Sequence, residues 1–189
     1  HYTRTTSYEY NGFGDVVKTT DPRGQTAGKS TYHYYDTLGR VVLTRDAESY
    51  VTETSYGAFG EVASVTRRYN ATASTPSTTT LPTVATHAKD ATTSYVYDKR
   101  GLVTSTTDAE GYVTTTAYNA FGEVASVTRG SATTSFLYDK RGQVTKSIDA
   151  ELFFESYGYD AFGNRTSVVA KSSTTSPSAR SGPTSKGPP

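Results

Sequence analysis

The sequence predicts an all-β repeat protein, and three observations carry that prediction. A five-residue motif, consisting of tyrosine, usually Asp or Asn, two variable residues and glycine, occurs seven times in 189 residues. The copies recur at a period near 21 residues, which is typical of proteins whose short units stack on one another. Thr, Val, Tyr and Phe suit a pleated, half-buried surface and are frequent, whereas runs of helix-forming residues are absent.

The motif glycines mark the repeat. Their spacings are 25, 21, 41, 21, 20 and 21 residues, and the interval of 41 spans two periods with one motif lost. In each motif the Asp or Asn is expected to open a tight turn, and the glycine is expected to close it with a positive φ that other residues disfavour. The seven turn glycines are Gly14, Gly39, Gly60, Gly101, Gly122, Gly142 and Gly163.

The segment 94–130 shows the predicted elements most clearly. Short runs that suit β-strands alternate there with four-residue turns, which begin with Asp or Asn and end with Gly. These turns are predicted at 98–101, 108–111 and 119–122. A turn about every ten residues predicts a meander of about a dozen antiparallel strands in one sheet, in which strands consecutive in the chain pair.

The residue seven positions after the motif glycine divides the units into two kinds. In four units it is an acid: Asp21, Asp46, Asp108 and Asp149. In the others it is Arg67, Arg129 or Ala170. Residues 55–67 recur almost unchanged at 117–129, and a two-unit period of about 42 residues lies above the single period.

Two segments depart from the repeat. Residues 69–92 are rich in Thr, Ser and Pro, lack the motif, and are predicted to form a long loop or a degenerate unit. Residues 171–189 contain four prolines and no large apolar side chain, which is typical of a tail or linker. The predicted organisation is therefore a β domain at 1–170 followed by a tail at 171–189.

The composition narrows the classes of function. A formal net charge of +1 gives no electrostatic basis for binding nucleic acid or a membrane surface. The chain has no Cys, which excludes disulfides and thiol nucleophiles. No apolar stretch approaches the roughly 18 residues of a membrane-spanning helix. We therefore expect no cofactor, no nucleic-acid partner and no membrane insertion.

Four motif copies begin with Tyr-Asp: Tyr35-Asp36, Tyr97-Asp98, Tyr138-Asp139 and Tyr159-Asp160. With the segments TDPRGQT at 20–26 and YDTLGRVV at 35–42, they make the sequence resemble the YD-repeat, or rearrangement-hotspot (Rhs), family over roughly residues 8–168. That family includes bacterial polymorphic toxins, the encapsulating component of insecticidal toxin complexes, wall-associated bacterial proteins and animal teneurins.

The resemblance implies both a fold and a class of function. It implies repeated antiparallel β-hairpins in a spiralling sheet, of which this chain is an open fragment of a shell or solenoid. Such a shell can enclose a C-terminal toxin, which is released by aspartyl self-cleavage near the end of the repeats. We therefore expect a non-enzymatic scaffold in an extracellular or cell-surface assembly, either a self-associating β-repeat building block or part of a toxin-enclosing shell.

Two partners suit such a scaffold. Unpaired backbone groups at the two ends of an open sheet predict self-association or pairing with flanking repeats of a longer chain. The alternative function is an adhesion module that binds glycan or protein through a tyrosine-rich sheet face.

The candidate catalytic residues have a simpler structural interpretation. Asp21-Pro22-Arg23-Gly24, followed by Asp36 in the next motif, is similar to the self-cleavage signature of the family, and two carboxylates can share a proton. Both acids fall at ordinary turn positions with five further units after them, so no catalytic residue is assigned. No metal site is assigned either, and a loose Ca²⁺ site among the turn aspartates is the weaker alternative.

The histidines are His1, His33 and His87. Alternation along the strand predicts that His33 lies on a strand surface, on the face opposite Tyr32 and Tyr34.

Tyrosines and asparagines complete the candidate residues. Tyr97, Tyr118, Tyr138 and Tyr159 are expected to stack in a ladder on one face, substantially buried. If they are exposed instead, they offer a binding surface for carbohydrate. Asn70 and Asn164 each begin an Asn-x-Thr sequence, which is a candidate glycosylation acceptor if the chain is secreted by a eukaryote.

Overall fold

The computed structural model describes residues 5–21 and 30–171. His1, Pro22, Arg23, Gly24 and the predicted tail beyond residue 171 lie outside the described residues.

The all-β prediction is confirmed, with fourteen strands in the described residues where about a dozen were predicted. No helix occurs in the described ranges. The strands are β1 (Ser7–Tyr10), β2 (Val16–Thr20), β3 (Ser30–Tyr35), β4 (Val41–Arg45), β5 (Val51–Tyr56), β6 (Val62–Arg67), β7 (Ala91–Tyr97), β8 (Val103–Thr107), β9 (Val113–Tyr118), β10 (Val124–Arg129), β11 (Ala132–Tyr138), β12 (Val144–Ile148), β13 (Phe154–Tyr159) and β14 (Arg165–Lys171).

Strand order in the sheet is the order of the chain, from β1 to β14. The chain divides into two compact units, residues 1–117 and residues 118–189, which we call unit 1 and unit 2. In unit 1 consecutive strands pair antiparallel, from the pair β1–β2 to the pair β8–β9. In unit 2 the same holds from β10 to β14. This pairing is the meander that the spacing of the turns predicts.

Each motif forms a hairpin turn of the same kind. In the second motif the N–H of Asp36 donates to the carbonyl of Arg40 at 2.9 Å, and the N–H of Gly39 donates to the carbonyl of Asp36 at 3.1 Å. These bonds enclose a three-residue loop, whose last position has a left-handed backbone. Gly39 occupies that position with a φ of 76°.

A β-bulge follows the motif turn. Tyr35 pairs with Val41, whereas Tyr34 pairs with Leu43, so one extra residue is accommodated on the strand after the turn. The same shift in register occurs in five further motif hairpins. Because a bulge increases the local twist, each motif repeats the same departure from a flat sheet.

Three turns at the opposite edge have the same hydrogen bonds. Asp46, Asp108 and Asp149 each accept, at Oδ1, the backbone N–H groups two and four residues further on. The left-handed position is filled by three different residues: Gly111 at φ 84°, Ser49 at φ 73° and Leu152 at φ 66°. The geometry is therefore retained even where glycine is lost.

The insertion between β6 and β7 covers one face of unit 1. Residues 69–90 contain no strand. The hydroxyl of Tyr34 donates to the carbonyl of Ser77 at 2.7 Å, and the N–H of Thr72 donates to the carbonyl of Ser49 at 2.8 Å. The core lies beneath this cover, where Val84 of the insertion packs against Tyr34, Leu43 and Val51.

Charged and aromatic groups close the neck of the insertion. Arg68, at its start, forms ion pairs with Glu53 at 2.6 Å and with Asp90, at its end, at 2.7 Å. The N–H of Tyr69 donates to Asp90 at 2.9 Å, and the ring of Tyr69 stacks on His87 with 4.7 Å between centroids. The insertion is therefore a closed loop with fixed ends.

Candidate functional site

Within each unit the motif turns lie on one edge of the strands. Each turn joins an odd-numbered strand to the next even-numbered strand, and in an antiparallel meander all such turns fall on the same side. We call this side the motif edge. The motif edge of unit 1 carries four turns and that of unit 2 carries three. We number each motif from the tyrosine, position 1, to the glycine, position 5.

An Asp or Asn side chain at position 2 stabilises the turn by accepting hydrogen bonds from backbone N–H groups further along it. Oδ1 of Asp36 accepts the N–H groups of Leu38 at 2.9 Å and of Arg40 at 3.0 Å. The backbone N–H of Arg40 holds the pKa of the Asp36 carboxyl below its ordinary value. The pKa of Asp98 and of Asp139 is lowered by the equivalent backbone donor.

Positions 2 and 6 have matched charges across the turn. Where position 2 is Asp, position 6 is Arg40, Leu102, Gln143 or Asn164. Where position 2 is Asn or Gly, position 6 is an acid: Asp15, Glu61 or Glu123. Asp36 forms an ion pair with Arg40 at 2.7 Å, and Nδ2 of Asn119 donates to Glu123 at 2.6 Å. No motif in the sequence places two carboxylates at these positions.

The motif glycines have two structural roles. All seven have the expected positive φ, between 76° and 94°. Two of them also lie under a side chain of the preceding motif, because a Cβ on Gly142 would be 2.9 Å from Glu123 and a Cβ on Gly163 would be 2.9 Å from Gln143. In unit 2, position 6 of one motif therefore contacts position 5 of the next.

The motif tyrosines also connect neighbouring hairpins, by a contact different from the ring stacking expected from the sequence. In five motifs the hydroxyl donates to the carbonyl of the first residue of the preceding strand, at 2.8–2.9 Å: Tyr35 to Val16, Tyr56 to Val41, Tyr97 to Val62, Tyr138 to Val124 and Tyr159 to Val144.

Strand spacing explains this difference. Successive motif tyrosines are two strands apart, about 10 Å, which exceeds the distance at which aromatic rings pack. Tyr97, Tyr118, Tyr138 and Tyr159 are half-buried rather than deeply buried. Burial raises the pKa of Tyr138, so its hydroxyl remains a donor at neutral pH.

Position 4 forms the tip of the motif edge, and in four motifs it is an exposed phenylalanine. Phe13, Phe59, Phe121 and Phe162 are 89–94% exposed. In the remaining motifs position 4 is Leu38, Arg100 or Arg141. Sequence reasoning missed this feature, because a phenylalanine at a constant motif position suggests core packing, and the only contrary signal was its place inside a tight turn.

A cleft lies between the first two motif turns of each unit. The cleft between the first two motifs of unit 1 has a volume of about 720 Å³, and its lining includes Phe13, Asp15, His33 and Tyr35. The cleft between the first two motifs of unit 2 has a volume of about 680 Å³, and its lining includes the corresponding residues Phe121, Glu123, Phe136 and Tyr138. The two clefts therefore share the lining that the repeat supplies, and Thr78, Thr79 and Leu81 of the insertion complete the cleft of unit 1.

The candidate catalytic groups are not brought together. Asp21 follows β2 at the edge opposite the motif edge, whereas Asp36 lies in a motif turn at the far end of β3. A strand of six residues separates them, about 20 Å. Nδ1 of His33 lies 3.3 Å from Oγ1 of Thr44, and burial lowers the pKa of His33. His87 belongs to the neck of the insertion.

Asn70 and Asn164 are both exposed. Nδ2 of Asn164 donates to Asp160 at 2.9 Å, and Thr72, the acceptor hydroxyl residue two positions after Asn70, is buried. Glycosylation at either asparagine stays a prediction.

Within the described ranges, no group of three or more His, Cys, Asp or Glu side chains is arranged to hold a metal ion. Nor does that part of the chain contain a helix with the length and apolar character needed to cross a membrane.

The fold and its edge define a class: a β-sheet repeat protein built from one recurring hairpin. The RHS Repeat family model matches residues 97–134, which confirms the resemblance recognised in the sequence. The matched segment runs from the fourth motif tyrosine to the middle of β11, and so contains the fourth and fifth motif turns.

The chain is also similar to parts of several solved structures. The crystal structure of TcdB2-TccC3-Cdc42 is 14% identical over 88% of this chain and 12% of that one, with a TM-score of 0.48. The structure of TcdB2-TccC3 is 13% identical over 88% of this chain and 11% of that one, with a TM-score of 0.48. The Photorhabdus luminescens Tc holotoxin pore is 15% identical over 89% of this chain and 14% of that one, with a TM-score of 0.26. This chain therefore spans about an eighth of the length of those proteins, and a likeness at these scores carries no functional argument. No curated protein sequence matches the chain.

Proposed function

We propose that the chain is a non-enzymatic structural scaffold, a run of YD-type hairpins that serves as a building block of an extracellular or cell-surface assembly. The observation that carries the proposal is that the recurring side-chain contacts of the motif join one hairpin to the next. The tyrosine hydroxyl donates to the preceding strand, and in unit 2 position 6 lies against the next motif glycine. Side chains that recur in every unit and join it to its neighbour stabilise the stack of hairpins, which is a structural role.

The ends of the sheet support a building-block role. Every residue of β1 and of β14 is exposed, and each of these strands has one neighbour in the strand order of the described sheet. Sheet edges of this kind pair with another strand. The partner in this proposal is either a flanking repeat of a longer chain or the end of another copy.

The adhesion alternative has less support from the tyrosines. Sugar recognition needs polar groups that are available to the ligand, and the hydroxyls of Tyr97, Tyr138 and Tyr159 already donate to backbone carbonyls.

Light scattering tests the scaffold proposal. We expect the 189-residue chain to give a mass above 20.3 kDa that rises with concentration and needs no ligand. A matched variant carries Ser167→Lys and Val169→Lys on β14, at two exposed positions. Charged side chains there oppose strand pairing, so the mass of this variant should rise less with concentration. The adhesion alternative is favoured instead if the mass stays at 20.3 kDa while tyrosine fluorescence changes on titration with sugars.

A further inference from the structure

We propose that β14 of one copy of this chain pairs with β1 of a second copy in the register that the repeat uses inside each unit, and that Tyr10 of the second copy donates its hydroxyl to the carbonyl of Arg165. This inference rests on the proposed scaffold function and specifies its partner, its register and one side chain that holds the contact. The contact involves only the last strand of unit 2 in one copy and the first strand of unit 1 in the other.

The first argument is a hydrogen bond that recurs between neighbouring hairpins. Five motif tyrosines donate to the carbonyl of the residue two positions after the preceding motif glycine, which is the first residue of the preceding strand. Tyr10 is the motif tyrosine of β1, and no strand precedes β1 in the described sheet. Tyr10 is 60% exposed, whereas the other six motif tyrosines are half-buried. Arg165, two positions after Gly163, is the first residue of β14 and supplies the corresponding carbonyl.

The second argument is a constant register between hairpins. Wherever an even-numbered strand pairs with the next strand inside a unit, the residue four positions after the motif glycine lies opposite the residue three positions before the next motif tyrosine. The rule holds even for Ser64 and Ser94, which the insertion separates in the chain. Applied to the two ends of the described sheet, it places Ser167 of β14 opposite Ser7 of β1.

The third argument is that β1 and β14 share the sequences of strands that pair inside the units. The tripeptide Thr-Thr-Ser occurs in β7, in β11 and at residues 5–7. The partners of β7 and β11 are β6 and β10, which both contain Ser-Val, as β14 does at residues 167–168. In both pairs of strands, serine lies opposite serine and valine lies opposite threonine. The proposed register reproduces these two cross-strand pairs, so the outer edges of β1 and β14 match.

The contact joins two different surfaces. Every residue of β1 and of β14 is exposed, so both strands are accessible to a partner. Because even-numbered strands run antiparallel to odd-numbered strands within each unit, the pairing of β14 with β1 continues the same alternation. Each copy can therefore bind one neighbour at each end, which gives a ring if the rotation closes and a filament if it does not.

Engineered cysteines test the register, because the chain has no cysteine of its own. Ser7→Cys in one copy and Ser167→Cys in another place the thiols on directly opposite residues, at a Cα separation of about 5 Å that a disulfide spans. Oxidation of an equimolar mixture should give a dimer of twice the 20.3 kDa mass of the chain.

The control mixture shifts one cysteine by a single residue. It combines Ser7→Cys with Val168→Cys, and residue 168 is exposed on the other face of β14. This mixture should give at least about tenfold less dimer, because the two thiols then lie on opposite faces of the paired strands. Each variant oxidised alone gives the background.

Tyr10→Phe tests the hydroxyl. The change removes one hydrogen-bond donor, so the dissociation constant between copies should rise about twofold to tenfold, as measured by sedimentation velocity. The matched control is Tyr8→Phe, which should leave the constant unchanged. Tyr8 is 53% exposed on the same strand, and phenylalanine already stands at the equivalent position of β11, at Phe136.

The outcomes separate this contact from the scaffold function. Equal dimer from the two cysteine mixtures, or association unchanged by Tyr10→Phe, overturns the proposed contact. If copies still associate in that case, the scaffold function stands and uses another interface. A natural sequence that remains monomeric at high micromolar concentration also overturns the contact, and a scaffold role then requires flanking repeats. Circular dichroism of each variant should retain the β-sheet spectrum of the natural sequence.

Discussion

At the scale of the residue, Leu152 has a backbone conformation that glycine has at the equivalent position of another turn. Leu152 has φ 66°, and Gly111 has φ 84°. A side chain disfavours this region, and Leu152 is 58% exposed, so replacing it removes little packing. We expect Leu152→Gly to raise the free energy of unfolding by about 0.5–1 kcal/mol, measured by urea denaturation.

Gly111→Ala is the matched control. No heavy atom lies within 4 Å of the added Cβ, so the expected loss of about 1 kcal/mol comes from the backbone alone. If both substitutions shift the urea midpoint in the same direction, the strain interpretation is wrong.

The charge match across the motif turn gives a second prediction at this scale. Asn119→Asp places a second carboxylate where Nδ2 now donates to Glu123 at 2.6 Å. The hydrogen bond is lost and repulsion replaces it, so we expect a cost of about 1–2 kcal/mol at pH 7. The double variant Asn119→Asp with Glu123→Gln recreates the Asp139 and Gln143 pair of the next motif and should recover most of that loss.

Much of the turn chemistry could be predicted at this scale. The pairing of Asp36 with Gly39 depends on residues within one short loop, so the repeated motif encodes it fully. The exposure of Phe59 could not be predicted, because the position of a tip relative to solvent depends on neighbouring hairpins.

At the scale of the element, the insertion makes equivalent strand positions unequal. Val51 starts β5 and is 0% exposed, whereas Val113 starts β9 and is 46% exposed. Val51→Ala removes two buried methyl groups and leaves a cavity, so we expect a loss of about 2–3 kcal/mol. Val113→Ala should lower the free energy of unfolding by less than about 1 kcal/mol. Thermal or urea denaturation of both variants measures the difference. Equal effects would mean that the insertion does not bury Val51 in solution.

The neck of the insertion gives a prediction on pH. The backbone N–H of Tyr69, with that of His87 and the guanidinium of Arg68, lowers the pKa of Asp90 to about 2. Because the folded-state pKa is depressed, this contribution is present above the unfolded value near 4 and is lost as pH falls toward 2.

Asp90→Asn should therefore flatten the fall in the urea midpoint between pH 4 and pH 2. An unchanged slope would exclude Asp90 as its source.

Sequence could not predict this element beyond its lack of a motif. The contact between Tyr34 and Ser77 joins residues 43 positions apart, and the insertion has no periodicity that indicates which face it covers. Local signals predict the hairpins, whereas the cover depends on non-local packing.

At the scale of the whole molecule, protection of backbone amides from hydrogen exchange should be uneven along the chain. The buried core lies in β3, β4 and β5, whereas every side chain of β14 is exposed. Amide hydrogen exchange tracks such differences in local stability. We expect the slowest exchange in β3–β5 and the fastest strand exchange in β14, measured by mass spectrometry. Uniform protection across the strands would contradict this.

The tyrosine hydrogen bond has a direction along the chain. The acceptor of each bond is N-terminal to its donor, as with Val124 and Tyr138 or Val144 and Tyr159. During synthesis each hairpin therefore emerges after the strand that receives its tyrosine is already complete. Growth of the sheet can thus proceed one hairpin at a time in the order of translation, and no hairpin has to wait for a later tyrosine acceptor. A long chain of this type can fold as it is made, because each step closes a contact about one repeat away.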